Sequence, residues 1–153
     1  MYHRILVPLD GSPTAERGLR EAVTLAVGQK EKATLLLLHV VAAFPVSLEM
    51  LSAMDAAQIR QGLSQYGERL LAKARQVATD AGASVETALR DVGRGRCADA
   101  IVDEAGKRGC DLIVMGTHGR RGFNRFVIGS DAELVVRTSP VPVLLVHHED
   151  RHR

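Results

Sequence analysis

The stretch DLIVMGTHGRRGFNRFVIGS, residues 111–130, decides the fold. After its opening Asp, the run Leu112-Ile113-Val114-Met115 is apolar on both faces and stops at Gly116. Such a run reads as an inner strand of a parallel sheet, covered above and below. The stretch ends on Gly129-Ser130, where Ser130 and Glu133 have the spacing of a capping box, and the helix they open over 130–138 must stop before Pro140. A buried strand, a long connection at its C-terminal end and a helix together make one βα unit.

Working outward, the same unit recurs. Ile5 to Leu9 is a near-continuous apolar run closed by Asp10-Gly11-Ser12-Pro13, with Ser12 placed to cap a helix and Pro13 suited to its first position. In that helix Ala15, Leu19, Ala22 and Ala26 form one stripe. Thr34 to Val41 is an inner strand by its apolar faces. Ile59, Leu63, Tyr66, Leu70, Ala74, Val77 and Ala81 form a stripe at helical spacing that predicts a helix over 55–81, with Gly82 as its stop. Val85 to Leu89 alternates apolar with polar, as a sheet edge does. A helix over 98–108 precedes the strand 111–115, and Pro142 to Val146 is a last strand. Five strands alternating with four helices define an α/β fold, a parallel sheet with helices on both faces. With no repeat, low-complexity tract or break in composition, residues 1–153 read as a single domain.

In such a sheet, with the first strand central and the fourth beside it, connections leave to opposite sides and a crevice opens beyond their C-terminal ends. Asp10-Gly11-Ser12 and the connection 116–130 border it.

Composition narrows the function. Lys+Arg 20 against Asp+Glu 18 leaves a formal charge of +2, no footprint for nucleic acid or an anionic membrane. Aromatics at 3% with no Trp cannot build a base-stacking surface. Cys97 and Cys110 fit neither a CxxC pair nor a zinc set and read as reduced thiols. The most apolar stretch, 33–43, contains Thr34 and His39 and falls well short of the ~20 residues of a membrane helix. With Pro8 and Asp10 following so short an apolar run, no signal peptide is expected, and the chain reads as cytoplasmic.

The connection 116–130 carries the chemistry. Gly116, Gly119, Gly122 and Gly129 permit close approach of backbone N–H groups, and Ser130 starts a helix whose N-terminal amides face an anion favourably. Arg120, Arg121 and Arg125 add positive charge, and no acid lies between residues 116 and 130. The plainer alternative is a surface loop with a solvated basic face. Neither a Walker A sequence nor a GxGxxG after the first strand occurs.

What does occur is Gly116-x2-Gly119-x9-Gly129-Ser130, and here the chain resembles the ATP-binding branch of the universal stress protein family. ILVPLDGS at 5–12, LHVV at 38–41, DLIVMGTHG at 111–119 and the last strand follow in the expected order, so the resemblance spans essentially the whole chain. It implies a Rossmann-like sheet in strand order 3-2-1-4-5, a homodimer, and ATP, usually with Mg2+, at the switch point. By position, Asp10 would accept from the ribose hydroxyls and the Val40 backbone would meet the adenine edge. Gly116, Gly119, Gly129 and Ser130 would hold the phosphates, with Pro8, Leu9, Met115, His118, Arg120 and Asp131 completing the site. Asp131 stands where the family often has a small apolar residue, and a carboxylate there costs affinity for a triphosphate unless it faces solvent or joins the metal. The stretch 93–97, GRGRC, replaces a common Gly-x-Pro turn.

Among the histidines, His39 inside an apolar strand reads as a satisfied core residue, and His147, His148 and His152 lack the partners of a metal site. No residue is assigned a catalytic role. The expectation is a regulatory ATP-binding stress protein, dimeric through the edge strand Pro142 to Val146. The alternatives are a member that binds no nucleotide and acts through partner contacts, and a slow ATP hydrolase.

Overall fold

The computed structural model describes residues 1–42, 53–118 and 128–147. Five strands and four helices alternate: β1 (Arg4–Pro8), α1 (Pro13–Gly28), β2 (Thr34–Ala42), α2 (Ala53–Asp80), β3 (Ser84–Gly93), α3 (Cys97–Lys107), β4 (Leu112–Gly116), α4 (Ser130–Thr138) and β5 (Val143–Val146). The sheet is parallel throughout, in the order β3-β2-β1-β4-β5. The strand order implied by the resemblance is therefore the observed one. β1 pairs with β2 from Arg4↔Thr34 to Pro8↔Leu38 and with β4 at Ile5↔Leu112 and Leu6↔Ile113. That places the ends of β1 and β4 side by side, with their connections departing to opposite flanks.

Side chains alternate across the strands and make two cores. Ile5, Val7, Leu35, Leu37 and Val114 meet α1 and α2 through Leu19, Ala22, Ala26, Leu71, Ala74 and Ala78. On the opposite face Leu6, Leu36, Leu38, Ile113 and Met115 meet α3 and α4 through Ala98, Ile101, Ala105, Ala132 and Val135. Removing each of the larger of these side chains from water contributes about 1.5–3 kcal/mol, which is what holds the helices to the sheet.

Three local expectations are corrected. The buried line of α2 runs through Gly67, Leu71, Ala74 and Ala78, while Ile59 and Val77 of the predicted stripe are 42% and 49% exposed. The reason is Gly67: a methyl group there would lie 2.5 Å from His39 Cδ2 and 2.7 Å from Leu89 Cδ1, so α2 touches the sheet through its bare backbone at this point. Second, β3 continues past Leu89 to Gly93, because its partner β2 also continues and a register shift between Val41 and Ala42 absorbs the mismatch. Third, α4 is capped by Gly129 rather than Ser130, with no side-chain capping bond. The Glu133 N–H donates to the Gly129 carbonyl at 2.9 Å, so Ser130 falls inside the helix and the capping box does not form.

Candidate functional site

At the end of β1 the chain turns through Gly11, whose φ of 81° lies in the left-handed region that favours glycine. Asp10 Oδ1 accepts from the Ser12 N–H at 2.9 Å, an Asx turn that fixes the carboxylate beside the strand end. Ser12 then caps α1 as expected, its Oγ accepting from the Ala15 N–H at 3.2 Å.

At the end of β4, Thr117 is fully buried and continues the ladder by donating its N–H to the Val146 carbonyl at 3.0 Å. The Thr117 carbonyl in turn accepts from the Gly129 N–H at 2.8 Å, which pins the two ends of the β4–α4 connection together. Thr117 Oγ1 lies 3.0 Å from His118 Nδ1, while His118 Nε2 is buried with no hydrogen-bond partner among the described residues. The N–H groups of Ser130, Asp131 and Ala132 precede the first intrahelical bond of α4, at the positive end of its dipole.

These two strand ends open onto a cavity of about 660 Å3. Of the residues singled out in the sequence, Pro8, Leu9, Asp10, Val40, Met115, Gly116, His118, Gly129, Ser130 and Asp131 line it. Gly119 and Arg120 lie outside the described residues, as do Gly122, Arg121, Arg125, His148 and His152. The wall on the α3/α4 face is apolar, from Leu38, Ile101, Met115 and Ala132, with Val40 packed against the same core. Across the sheet the cavity reaches His39, Leu63 and Tyr66 beneath α2. His39 is buried and satisfied, as its sequence context suggests: Nδ1 lies 2.7 Å from the Leu9 carbonyl, and since a carbonyl only accepts, this nitrogen carries the proton. Its ring meets Tyr66 edge-on at 6.0 Å.

Ser12 lines the cavity too, as its place in the stretch bordering the crevice suggests. Sequence reasoning did not place Cys97 or Tyr66 in this wall, because Tyr66 reads as part of a helix stripe and Cys97 looks inert. Cys97 is the first residue of α3, and of the stretch 93–97 it alone lines the cavity. Burial pushes its thiol pKa up, and the carboxylates of Asp131 and Asp10 push the same way, so both acids act on the space the thiol faces. Among the described residues no group of three or more His, Cys, Asp or Glu could hold a metal ion.

The model of the universal stress protein family matches residues 1–147. The chain belongs to the universal stress protein family. It is 30% identical over 152 residues to universal stress protein YxiE of Bacillus subtilis, covering 95% of this chain and 99% of that one. A universal stress protein solved in complex with cAMP is 29% identical with a TM-score of 0.62, over 95% of this chain and 97% of its own. The universal stress protein of Archaeoglobus fulgidus in complex with dAMP is 25% identical with a TM-score of 0.65, over 95% and 98%. For this universal stress protein no described helix is long and apolar enough to cross a membrane.

Proposed function

We propose that this universal stress protein binds ATP, with Mg2+, in the crevice beyond β1 and β4, and that occupancy regulates its contacts during a stress response in the cytoplasm. The observation that carries the reading is one cavity shared by Asp10, Gly116, Gly129 and Ser130, segments more than a hundred residues apart in the chain. Its size falls in the range of ~300–1,000 Å3 typical of small-molecule sites. The apolar wall of Leu38, Val40, Ile101, Met115 and Ala132 suits the face of a base. Asp10 is a pure acceptor suited to the ribose hydroxyls. The amides at the start of α4 suit phosphate, and the reading gives Gly119 and Arg120 a part in holding it. Mg2+ accompanies the polyphosphate here and needs no dedicated cage of side chains. Relatives solved with cAMP and dAMP support an adenine nucleotide as the ligand class.

Rapid phosphoryl transfer requires a positioned base, metal ligands and a charge clamp, and the reading assigns no residue to such a set. Asp131 favours a second reading, a member that binds no nucleotide and works through dimer or partner contacts. Mass spectrometry of small molecules released by denaturing freshly purified protein separates the two, together with melting in ATP and Mg2+. Retained adenine nucleotide and a raised melting temperature are expected. Protein that retains none and melts identically with and without ATP overturns the nucleotide reading in favour of the second.

A further inference from the structure

Asp10 and the β4–α4 connection belong to different βα units, yet a run of hydrogen bonds joins them. The Ser12 N–H donates to Asp10 Oδ1, and Ser12 Oγ lies 3.3 Å from Thr14 Oγ1. Thr14 Oγ1 donates to the carbonyl of His118, 104 residues further along. A hydroxyl has one proton, so Thr14, having given its own to His118, accepts from the Ser12 hydroxyl, and the donors run one way from Ser12 to Thr14 to His118. Both hydroxyl residues are buried, Ser12 at 4% and Thr14 at 7% exposure.

The approach that makes this possible depends on Gly116. A Cβ there would lie 2.7 Å from Thr14 Oγ1 and 2.8 Å from the Thr14 carbonyl carbon, so only glycine lets the first turn of α1 rest on the end of β4. One residue later the connection is pinned to Gly129 through the Thr117 carbonyl. His118 is thus the point at which the connection leaves the sheet, and Thr14 is the side chain that holds it there.

We infer that Thr14 is a positioning residue for the phosphate side of the cavity: its hydroxyl fixes the start of the β4–α4 connection against α1, at a set distance from Asp10. The inference rests on the nucleotide reading above. Without the hydroxyl, the His118 carbonyl and the Ser12 hydroxyl lose a buried partner at the start of the connection, while the apolar wall, built from β2, α3, β4 and Ala132 of α4, keeps the packing of its own core. Loss of affinity should therefore grow with the phosphate part of the ligand.

The test is calorimetric binding of adenosine, AMP and ATP to wild type, Thr14→Val and Thr14→Ser. Thr14→Val keeps the shape and removes the hydroxyl, and is expected to weaken AMP and ATP by about tenfold, the scale of one buried hydrogen bond, with adenosine within about twofold of wild type. Thr14→Ser, which restores the hydroxyl, is expected to return AMP and ATP to within about threefold. Thr14→Ala carries the same expectation as Val and replaces it where the Val variant does not fold. Unchanged AMP and ATP in the Val variant overturn the inference, as does an equal loss of all three ligands, or a Ser variant as weak as Val. Wild type that binds none of the three overturns the nucleotide reading itself and this inference with it.

Discussion

The Cys97 thiol is a probe built into the cavity wall. A helix N-terminus ordinarily lowers a thiol pKa, because its dipole favours the thiolate. At Cys97 burial outweighs that, and Asp131 and then Asp10 add repulsion, so the thiol stays neutral to higher pH than usual. Only the thiolate reacts, so the rate of iodoacetamide labelling, followed on the Cys97 peptide across pH, should have its midpoint above the ordinary value of about 8.5. Asp131→Asn removes one of the raising charges, and the midpoint should move down. A midpoint at or below the ordinary value would show that burial does not govern the thiol, and no movement in the variant would show that Asp131 does not act on it. Under the nucleotide reading, bound ATP shields Cys97 from labelling. None of this is written locally around the residue, since what Cys97 faces depends on where β3 ends and where α4 begins.

At the scale of elements, the two glycines of α2 make opposite predictions. A methyl group at Gly62 would touch nothing within 4 Å, so Gly62→Ala should gain the helix propensity difference of about 0.8–1 kcal/mol. In a chain of this size that raises the melting temperature by about 2–4 °C. At Gly67 the same gain meets His39 at 2.5 Å and Leu89 at 2.7 Å. His39 is held by Leu9 and cannot swing away without breaking that bond. Overpacking of about 1–3 kcal/mol should prevail, and Gly67→Ala should melt at a lower temperature than wild type. Calorimetric melting of both variants decides it; a stabilised Gly67→Ala would mean that α2 stands further from the sheet. These glycines also show what the sequence conceals. The existence of α2 follows from its period, but its buried line shares only Ala74 with the apolar stripe and otherwise lies one residue beyond Tyr66, Leu70 and Val77, because a residue with no side chain marks the closest approach. The α4 cap is hidden for a related reason. Ser130 and Glu133 have the right spacing, yet Gly129 takes the capping position because its carbonyl already serves Glu133.

At the scale of the molecule, strand type and helix period were legible because they depend on neighbours two to four residues apart, and with them the α/β class. Asp10, Gly116, Gly129 and Ser130 were legible as candidate site residues because the short stretches that hold them have a distinctive composition. The clasp of Thr14 on His118 was not, since it joins residues that only the completed sheet brings together. The same sheet has two edges, and they differ. β3 carries Glu86, Arg90 and Asp91, whose charges engage Arg4, Glu104 and Arg60, and so discourages pairing with another strand. β5, Val-Leu-Leu-Val, has β4 on one side and no described strand on the other. Beside it Leu144 is 40% exposed and Val136 of α4 is 48% exposed. An apolar edge of this kind is satisfied by a second copy of itself across a two-fold axis, joining two sheets into one. Light scattering at tens of micromolar is expected to give twice the mass of one chain. Leu144→Lys, which puts a charge on that edge, is expected to give the monomer with an unchanged far-ultraviolet circular dichroism spectrum. Wild type that is monomeric at that concentration would overturn the dimer, and a Leu144→Lys variant that stays dimeric would move its surface away from β5.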